Sequence, residues 1–201
     1  MNTRTVRLLL ILGVFLAGLV LFSTLVLIVG GRNPVTGVLS PAAIGGPFQL
    51  VDQDGRAVSE QDFKGKPFLV FFGFTHCPEI CPAALFEMSE VLHKLGPDAE
   101  RVNVLFITVD PERDTPAALK TYLSNFHPSF TGLTGSASEI KEVAGAFRVA
   151  YGKEEGKGDN YLMFHSTLIY LMGPDGAYLA HFRHSEAPER MAEIILKHVA
   201  R

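Results

Sequence analysis

The hydrophobic pattern begins with one long apolar segment near the N-terminus. Residues 8–30 contain no charged side chain over 23 positions. A helix of that length spans about 34 Å at about 1.5 Å per residue, which is enough for the hydrocarbon core of a bilayer. Arg4 and Arg7 precede the segment, and this placement predicts a cytoplasmic N-terminus. We therefore expect residues 1–32 to form a single-pass anchor in the inner (cytoplasmic) membrane, with the following domain in the periplasm or outside the cell.

A cleaved signal peptide is the alternative interpretation of this segment. Signal peptides usually have an apolar region of about 7–15 residues followed by an Ala-x-Ala site. The apolar region here is longer, and no good Ala-x-Ala site follows it. An uncleaved anchor is therefore the preferred interpretation.

Beyond the anchor, the pattern changes to that of a folded domain. Residues 33–46 are rich in Pro, Gly, Ser and Thr and nearly uncharged, which is typical of a linker. Within residues 47–201, apolar runs and turn signals predict strands, and apolar positions at helical spacing predict helices. The predicted strands cover residues 48–51, 57–59, 68–74, 102–109, 167–172 and 177–182, and the predicted helices cover residues 79–95, 115–125, 136–147 and 188–198. This order predicts an α/β domain with a central mixed sheet flanked by helices on both faces.

Composition and charge exclude several classes of protein. A chain that is 47% hydrophobic and 19% charged is too apolar to be disordered, and two cysteines cannot fill a four-cysteine zinc or iron–sulfur site. Three of the 18 basic residues precede residue 33, whereas all 21 acidic residues follow it. The domain therefore carries about −6, which argues against nucleic acid as a partner. Such a charge favours approach to a basic patch on a partner protein, and it is equally typical of an ordinary soluble surface.

Both cysteines lie in one short segment between the first buried strand and the helix predicted after it. Cys77 and Cys81 are four residues apart, and Pro78 suits the first position of a helix. We expect both sulfurs to face one side of the first turn, where a helix N-terminus lowers the pKa of a thiol. A disulfide that closes so short a loop contributes only about 2 kcal/mol, so a structural disulfide, like a pair of inert thiols, is the weaker interpretation. Two thiolates favour a soft metal ion, with Cu(I) first and Zn(II) as its competitor.

A third metal ligand would have to come from elsewhere in the chain, and the histidines are the candidates. His165 is distinctive because it follows the Gly-, Lys- and Asp-rich residues 152–160 and opens an apolar strand that can face the cysteines. A hydrogen-bonded histidine at a strand edge is the alternative interpretation. We expect roles outside the metal site, mostly on the surface, for the other six histidines: His76, His93, His127, His181, His184 and His198.

Three motifs, taken in this order, resemble those of the SCO/SenC family. They are residues 71–82 (FFGFTHCPEICP), residues 108–115 (TVDPERDT) and His165-Ser166 ahead of the turn at residues 173–176. Proteins of this family are membrane-anchored, thioredoxin-like copper proteins that assist the assembly of cytochrome c oxidase. The resemblance implies a thioredoxin-like fold and copper ligation by Cys77, Cys81 and His165. It also implies delivery of copper to the copper A centre of oxidase subunit II, or to another copper-site protein, or reduction of the thiols of that centre.

Two features of these motifs qualify the resemblance. Many family members have Asp immediately before the histidine, whereas this chain has Phe164. The absence of a carboxylate there bears on Cu(II) affinity and partner choice more than on Cu(I) binding. The second motif also has a structural interpretation, which we prefer to catalysis: Asp110 ends a strand, and Asp114 or Thr115 caps the next helix.

The leading hypothesis is a copper metallochaperone that binds Cu(I), with binding of Cu(II) left open. The first alternative is an enzyme, a periplasmic thiol–disulfide reductase whose redox-active pair Cys77 and Cys81 acts on the cysteines of oxidase subunit II. The Cys-x₃-Cys spacing and the lack of a proline beside His165 argue against it. A redox or copper sensor that signals through a protein partner is the second alternative, and it would use the same residues.

Overall fold

The structure, a computed structural model, describes residues 2, 7, 13, 15–24, 44–154 and 161–199. The chain divides into two units, Met1–Ala42 and Ala43–Arg201, and in the first of them residues 15–24 are helical. No helix among the described residues combines the length and the apolarity needed to cross a bilayer. The predicted anchor and linker fall largely outside the described residues, so the domain bounds 1–32, 33–46 and 47–201 stay predictions.

The second unit is built from strands and helices that alternate along most of its length. Its strands are β1 (Gln49–Asp52), β2 (Ala57–Ser59), β3 (Phe68–Gly73), β4 (Asn103–Thr108), β5 (Phe130–Thr134), β6 (Tyr151–Lys153), β7 (Met163–His165), β8 (Ile169–Met172) and β9 (Tyr178–Phe182), and its helices are α1 (Ile80–Leu95), α2 (Pro116–Leu123), α3 (Ala137–Ala146) and α4 (Pro188–Leu196). Two short 3₁₀ segments, Glu60–Phe63 and Gly96–Arg101, connect neighbouring elements.

Seven of these strands form one mixed sheet in the order β2-β1-β5-β4-β3-β8-β9. The central strands β3, β4 and β5 are parallel, and the flanking strands pair antiparallel with them and with one another. Every residue of β3 is buried, which is why its sequence is continuously apolar instead of alternating. Helix α2 packs against β5, and α1 packs against α4. The predicted α/β domain with a central mixed sheet is confirmed.

The topology brings two of the singled-out motifs to one edge of the sheet. Strands β3 and β4 are parallel neighbours, with Gly73 opposite Thr108. The cysteine segment follows β3 and the motif that begins with Asp110 follows β4. Because carboxyl ends of adjacent parallel strands meet at the same edge, the two motifs lie side by side.

Strand β5 and the hairpin β6–β7 were not predicted from the pattern. The sequence of β5, FTGLT, is short and contains a glycine whose added Cβ would lie 2.7 Å from Leu123 and 3.2 Å from Leu119. The strand therefore depends on close approach to α2, which a hydrophobic count does not detect. His165 also differs from its predicted place, because it ends β7 and the next strand begins only at Ile169. Residues 155–160 of the predicted loop lie outside the described residues, and 152–153 belong to β6.

Candidate metal centre

Cys77 lies in the loop between β3 and α1, just ahead of the helix cap, as expected. Helix α1 begins at Ile80, and its N-cap residue Glu79 makes no side-chain capping bond. The Cys77 sulfur takes that role, since its Sγ accepts a hydrogen bond from the Cys81 N–H at 3.3 Å. The expectation that Pro78 occupies the first helical position is wrong, because the N-cap is Glu79 and Pro78 lies before it in the connecting turn. Pro82 lies in the first turn instead, where a missing N–H is tolerated.

Cys81 lies inside the helix and is fully buried against β3. Its Sγ packs so closely on Gly73 that a Cβ built on this glycine would lie 2.8 Å from the sulfur and 2.8 Å from the Phe106 ring. Both Cys77 and Cys81 are free thiols. A glycine at the end of a buried strand therefore sets the depth at which the second sulfur sits.

His165 reaches the cysteines from the β6–β7 hairpin. Its Nε2 lies 3.4 Å from the Cys81 Sγ, and its Nδ1 lies 3.0 Å from the carbonyl oxygen of Ser166. A carbonyl can only accept, so Nδ1 carries the proton and Nε2 presents a lone pair towards the sulfur. The Phe71 and Phe74 rings lie nearly perpendicular to the imidazole, at centroid distances of 6.0 and 5.8 Å, and hold it in place. Metal-binding histidines commonly have this second hydrogen bond from the other ring nitrogen.

Two sulfur atoms and one imidazole nitrogen lie close together at the start of α1. The ligand atoms of Cys77, Cys81 and His165 all lie within 4.8 Å of one another, and in the described part of the chain no other group of histidine, cysteine and acidic side chains does so. The three residues that the sequence analysis selected are thus brought together. His76 is adjacent in sequence but points elsewhere, since its side chain is 54% exposed and bonds Thr75 at 3.1 Å.

The two thiols have opposite acid–base properties. Hydrogen bonding from Cys81 lowers the pKa of Cys77 to about 4, with backbone N–H groups adding to the effect against the cost of partial burial. The same bond, together with burial and the Cys77 charge, raises the pKa of Cys81 far above its usual range. The predicted decrease in pKa is confirmed for Cys77 and wrong for Cys81. One thiolate keeps its neighbour protonated because two adjacent negative charges repel each other.

Buried polar contacts attach the cysteine loop to the motif after β4. Asp114 is fully buried and accepts hydrogen bonds from the Thr75 N–H at 3.0 Å, the Thr75 Oγ1 at 2.6 Å and the Thr108 Oγ1 at 2.6 Å. Burial raises the pKa of Asp114 above its usual range. Helix α2 is capped by Thr115, whose Oγ1 accepts from the Ala118 N–H at 3.2 Å. The capping interpretation is confirmed for Thr115, whereas Asp114 supports the cysteine loop.

The site opens into a cleft of about 300 Å³ with a largely apolar rim. Cys77 and His165 line the cleft together with Phe164, whose side chain is half exposed. The Phe164 ring lies over Gly152 on the neighbouring strand, where an added Cβ would lie 2.7 Å from the ring. In place of a carboxylate, this chain therefore has an aromatic wall beside the histidine.

Sequence reasoning did not identify Gly73 or Thr75 as part of the site. Both lie in the FFGFTHC stretch that precedes the first cysteine. A glycine that ends an otherwise apolar buried strand was the available signal, since such a residue often marks a close approach. The role of Thr75 depends on contact with Asp114, which is 39 residues away, and no local pattern indicates it.

The chain is similar to SCO proteins, some of which have been solved with copper bound. The sequence pattern of the SCO1/SenC family matches residues 37–200. A SCO2-like protein of Rickettsia conorii is 44% identical over 154 residues, which cover 76% of this chain and 75% of the relative. Copper-bound ScoI of Bradyrhizobium japonicum is 51% identical, with a TM-score of 0.74 over 78% of this chain and 99% of that one. BsSco, a member of the Sco family of cytochrome c oxidase assembly proteins, is 31% identical, with a TM-score of 0.64 over 79% and 94% of the two chains.

These matches identify the fold and the family of the chain. Related SCO proteins come from bacteria and from mitochondria. The structural matches confirm the thioredoxin-like α/β fold that the resemblance implied. With a family pattern covering residues 37–200 and relatives similar over most of the domain, the chain belongs to the SCO1/SenC family.

Proposed function

We propose that this protein is a copper chaperone that holds one Cu(I) ion between Cys77, Cys81 and His165 and passes it to a copper-site protein. The observation that carries the proposal is the convergence of two sulfurs and an imidazole Nε2 within 4.8 Å. Thiolates and imidazole are ligands that Cu(I) accepts, and soft sulfur donors favour it over harder ions. Copper is the cargo here, so the site must both bind and release it.

The exposure of the three ligands suits release. Cys77 and His165 are partly exposed at the cleft, whereas the Cys81 sulfur is buried. A partner's ligands can therefore reach the metal from the Cys77 side while Cys81 still holds it. The reduced dithiol is required, because a Cys77–Cys81 disulfide has no thiolate to offer.

Oxidase subunit II is the proposed recipient, and an inner-membrane anchor at residues 1–32 is the proposed means of keeping the domain near it. The support is the family membership together with the apolar segment at residues 8–30. The domain would face the periplasm or the cell exterior. An acidic domain surface suits a recipient with a basic approach face.

A thiol–disulfide reductase is the second candidate, favoured by one observation. The pKa of Cys77 is about 4, so its thiolate is available to attack a disulfide at neutral pH. The buried Cys81 thiol could then resolve the mixed disulfide. This activity predicts turnover of a disulfide substrate in the absence of copper, whereas the chaperone proposal requires a stoichiometric metal complex.

The test is anaerobic Cu(I) titration of the reduced full-length chain against a chromophoric competitor, combined with copper-edge X-ray absorption. We expect one Cu(I) per chain with two sulfur neighbours and one nitrogen neighbour. Cys77→Ser and Cys81→Ser should abolish competitive binding, and His165→Ala should remove the nitrogen neighbour and leave the fold intact. His76→Ala is the matched control because His76 adjoins Cys77 but lies outside the ligand group. Unchanged binding in either cysteine variant would refute the proposal.

A further inference from the structure

The hairpin that carries His165 is held near the start of β7 by Arg113, an arginine whose side chain is only 14% exposed. Tyr161, just before β7, donates its phenolic hydrogen to Asp110 Oδ1 at 2.7 Å. Arg113 Nη1 donates to the carbonyl oxygen of Tyr161 at 3.0 Å, and the guanidinium carbon lies 3.7 Å from the centre of the Tyr161 ring. Arg113 Nε also donates to Asp110 Oδ2 at 2.5 Å. Tyr161 is therefore fixed through its hydroxyl, its ring and its backbone.

The second strand of the hairpin is attached to the same turn. Lys153 in β6 pairs with Glu112 at 2.6 Å, and its ammonium lies 4.4 Å from the centre of the Tyr161 ring. Because β6 pairs with β7 in register, with Tyr151 opposite His165, contacts at either strand restrain the imidazole. The Lys153 pair is exposed and contributes little by itself. The buried contacts of Asp110 and Arg113 carry most of the restraint.

The same turn holds the cysteine loop from its other end. Asp114 follows Arg113 directly and accepts two hydrogen bonds from Thr75, two residues before Cys77. One turn of chain, residues 110–114, thus contacts both parts of the metal site. The thiol loop follows β3, and His165 in the hairpin comes 84 residues after Cys81.

We infer that residues 110–114 form a clamp that sets the distance between the dithiol and His165, with Arg113 as its principal positioning residue. This inference deepens the proposed function and rests on it for the identity of the metal. Arginine suits this role because its planar fork can bond a carboxylate and a backbone carbonyl at once while its face stacks on an aromatic ring. Lysine has a single ammonium and cannot maintain all three contacts. Substitution of a residue that orients a metal ligand without binding the metal itself typically lowers metal affinity by about 10- to 100-fold.

The chain offers a matched control for this arginine. Arg56 Nε donates to the buried carboxylate of Asp52 at 2.8 Å, in the β1–β2 turn. That turn is separated from β3 by β5 and β4 in the sheet order. Arg56→Lys therefore removes a guanidinium that bonds a buried aspartate far from the metal site. Arg113→Lys removes the equivalent guanidinium at the clamp.

The experiment compares Arg113→Lys with Arg56→Lys in the full-length chain, with two readouts. The first needs no metal: the His165 ring lies nearly perpendicular to the Phe71 and Phe74 rings, at centroid distances of 6.0 and 5.8 Å, so its protons should show aromatic ring-current shifts in the NMR spectrum. We expect these shifts to collapse towards unstructured values in Arg113→Lys and to persist in Arg56→Lys. The second is Cu(I) affinity, which should fall about 10- to 100-fold only in Arg113→Lys, with a weakened nitrogen contribution to X-ray absorption.

A milder variant keeps the inference testable if Arg113→Lys does not fold. Tyr161→Phe removes only the bond to Asp110 and should move the His165 signals in the same direction, whereas Tyr178→Phe, which loses a hydroxyl contact to His181, should not. Wild-type His165 shifts and copper affinity in the clamp variants would overturn the inference. Failure of the wild-type chain to bind copper, with clamp-dependent His165 shifts retained, would overturn the proposed function and leave the positioning role standing.

Discussion

Replacing Gly73 with alanine tests the packing that sets the depth of Cys81. A Cβ at this position would lie 2.8 Å from the Cys81 Sγ and 2.8 Å from the nearest Phe106 ring atom. Carbon contacts are favourable at about 3.5–4.0 Å, so the neighbours must retreat by about 1 Å. Both neighbours are fully buried, and side chains in a close-packed interior have little room to move. Insertion of a methyl group into such a site costs about 1–3 kcal/mol.

The expected result is loss of both stability and copper affinity. For a domain of this size, about 1–3 kcal/mol corresponds to a decrease in Tm of about 2–12 °C. Movement of the Cys81 sulfur also changes its separation from His165 Nε2, which is 3.4 Å in the unaltered protein. We expect the Cu(I) affinity of Gly73→Ala to fall about tenfold or more, as for other displaced metal ligands.

Thermal unfolding followed by circular dichroism and anaerobic Cu(I) competition measure the two effects. Gly145→Ala is the matched control, because Gly145 lies within α3 and an added Cβ would meet no atom within 4 Å. Alanine in a helix interior is more stable than glycine by about 0.5–1 kcal/mol. This variant should therefore unfold at a slightly higher temperature and bind copper with unchanged affinity. If Gly73→Ala unfolds at the wild-type temperature and keeps full copper affinity, close packing on β3 does not position the thiol.

Three further changes test separate parts of the site. Alkylation of Cys77 by iodoacetamide, followed by mass spectrometry of the peptide, should vary less than about twofold between pH 6 and 8, because a thiol with a pKa of about 4 is already ionised there; a rate that climbs with pH contradicts the assigned thiolate. Phe164→Asp should raise Cu(II) affinity in a competition assay and change Cu(I) affinity by less than about threefold, since a carboxylate oxygen is a hard ligand; equal gains for both ions would be inconsistent with this reasoning. Thr115→Ala should lower the free energy of urea unfolding by about 1 kcal/mol through loss of the α2 cap, and copper affinity should not change; an unaltered midpoint would mean that the cap contributes nothing.

The parts of the fold that could be predicted are those with local patterns. Strands β3 and β4 are continuous apolar runs because both of their faces are buried. The predicted helix at residues 136–147 begins with Ser136 and has Glu139 three residues later, which is the spacing of a capping box, and both reciprocal bonds of that box form in α3. In these elements the side chains that specify the structure are neighbours in sequence, so one sequence is enough to indicate them.

The start of α1 shows why a local rule can give the wrong boundary. Proline is favoured at the first helical position, and this preference pointed to Pro78. The sulfur of Cys77 instead accepts the Cys81 N–H, and the helix begins only at Ile80. A thiolate is not among the usual capping groups, so the preference of proline for the first helical position does not hold at Pro78.

The sequence can indicate which residues are candidate metal ligands, but it does not give the distances between them. Cys77 and Cys81 could be selected by chemistry, since the chain has two cysteines, whereas His165 was singled out among seven histidines by its position and by the family resemblance. Their distances depend on contacts between distant residues, such as Tyr161 with Asp110, which are 51 residues apart. The cysteine spacing alone would permit a redox pair, a disulfide or a metal site. What favours the metal site is that an imidazole with its lone pair free is held 3.4 Å from a buried sulfur by a carbonyl on one side and two aromatic rings on the other. A simple disulfide exchanger has no need for such a third ligand, whereas a three-coordinate carrier of Cu(I) does.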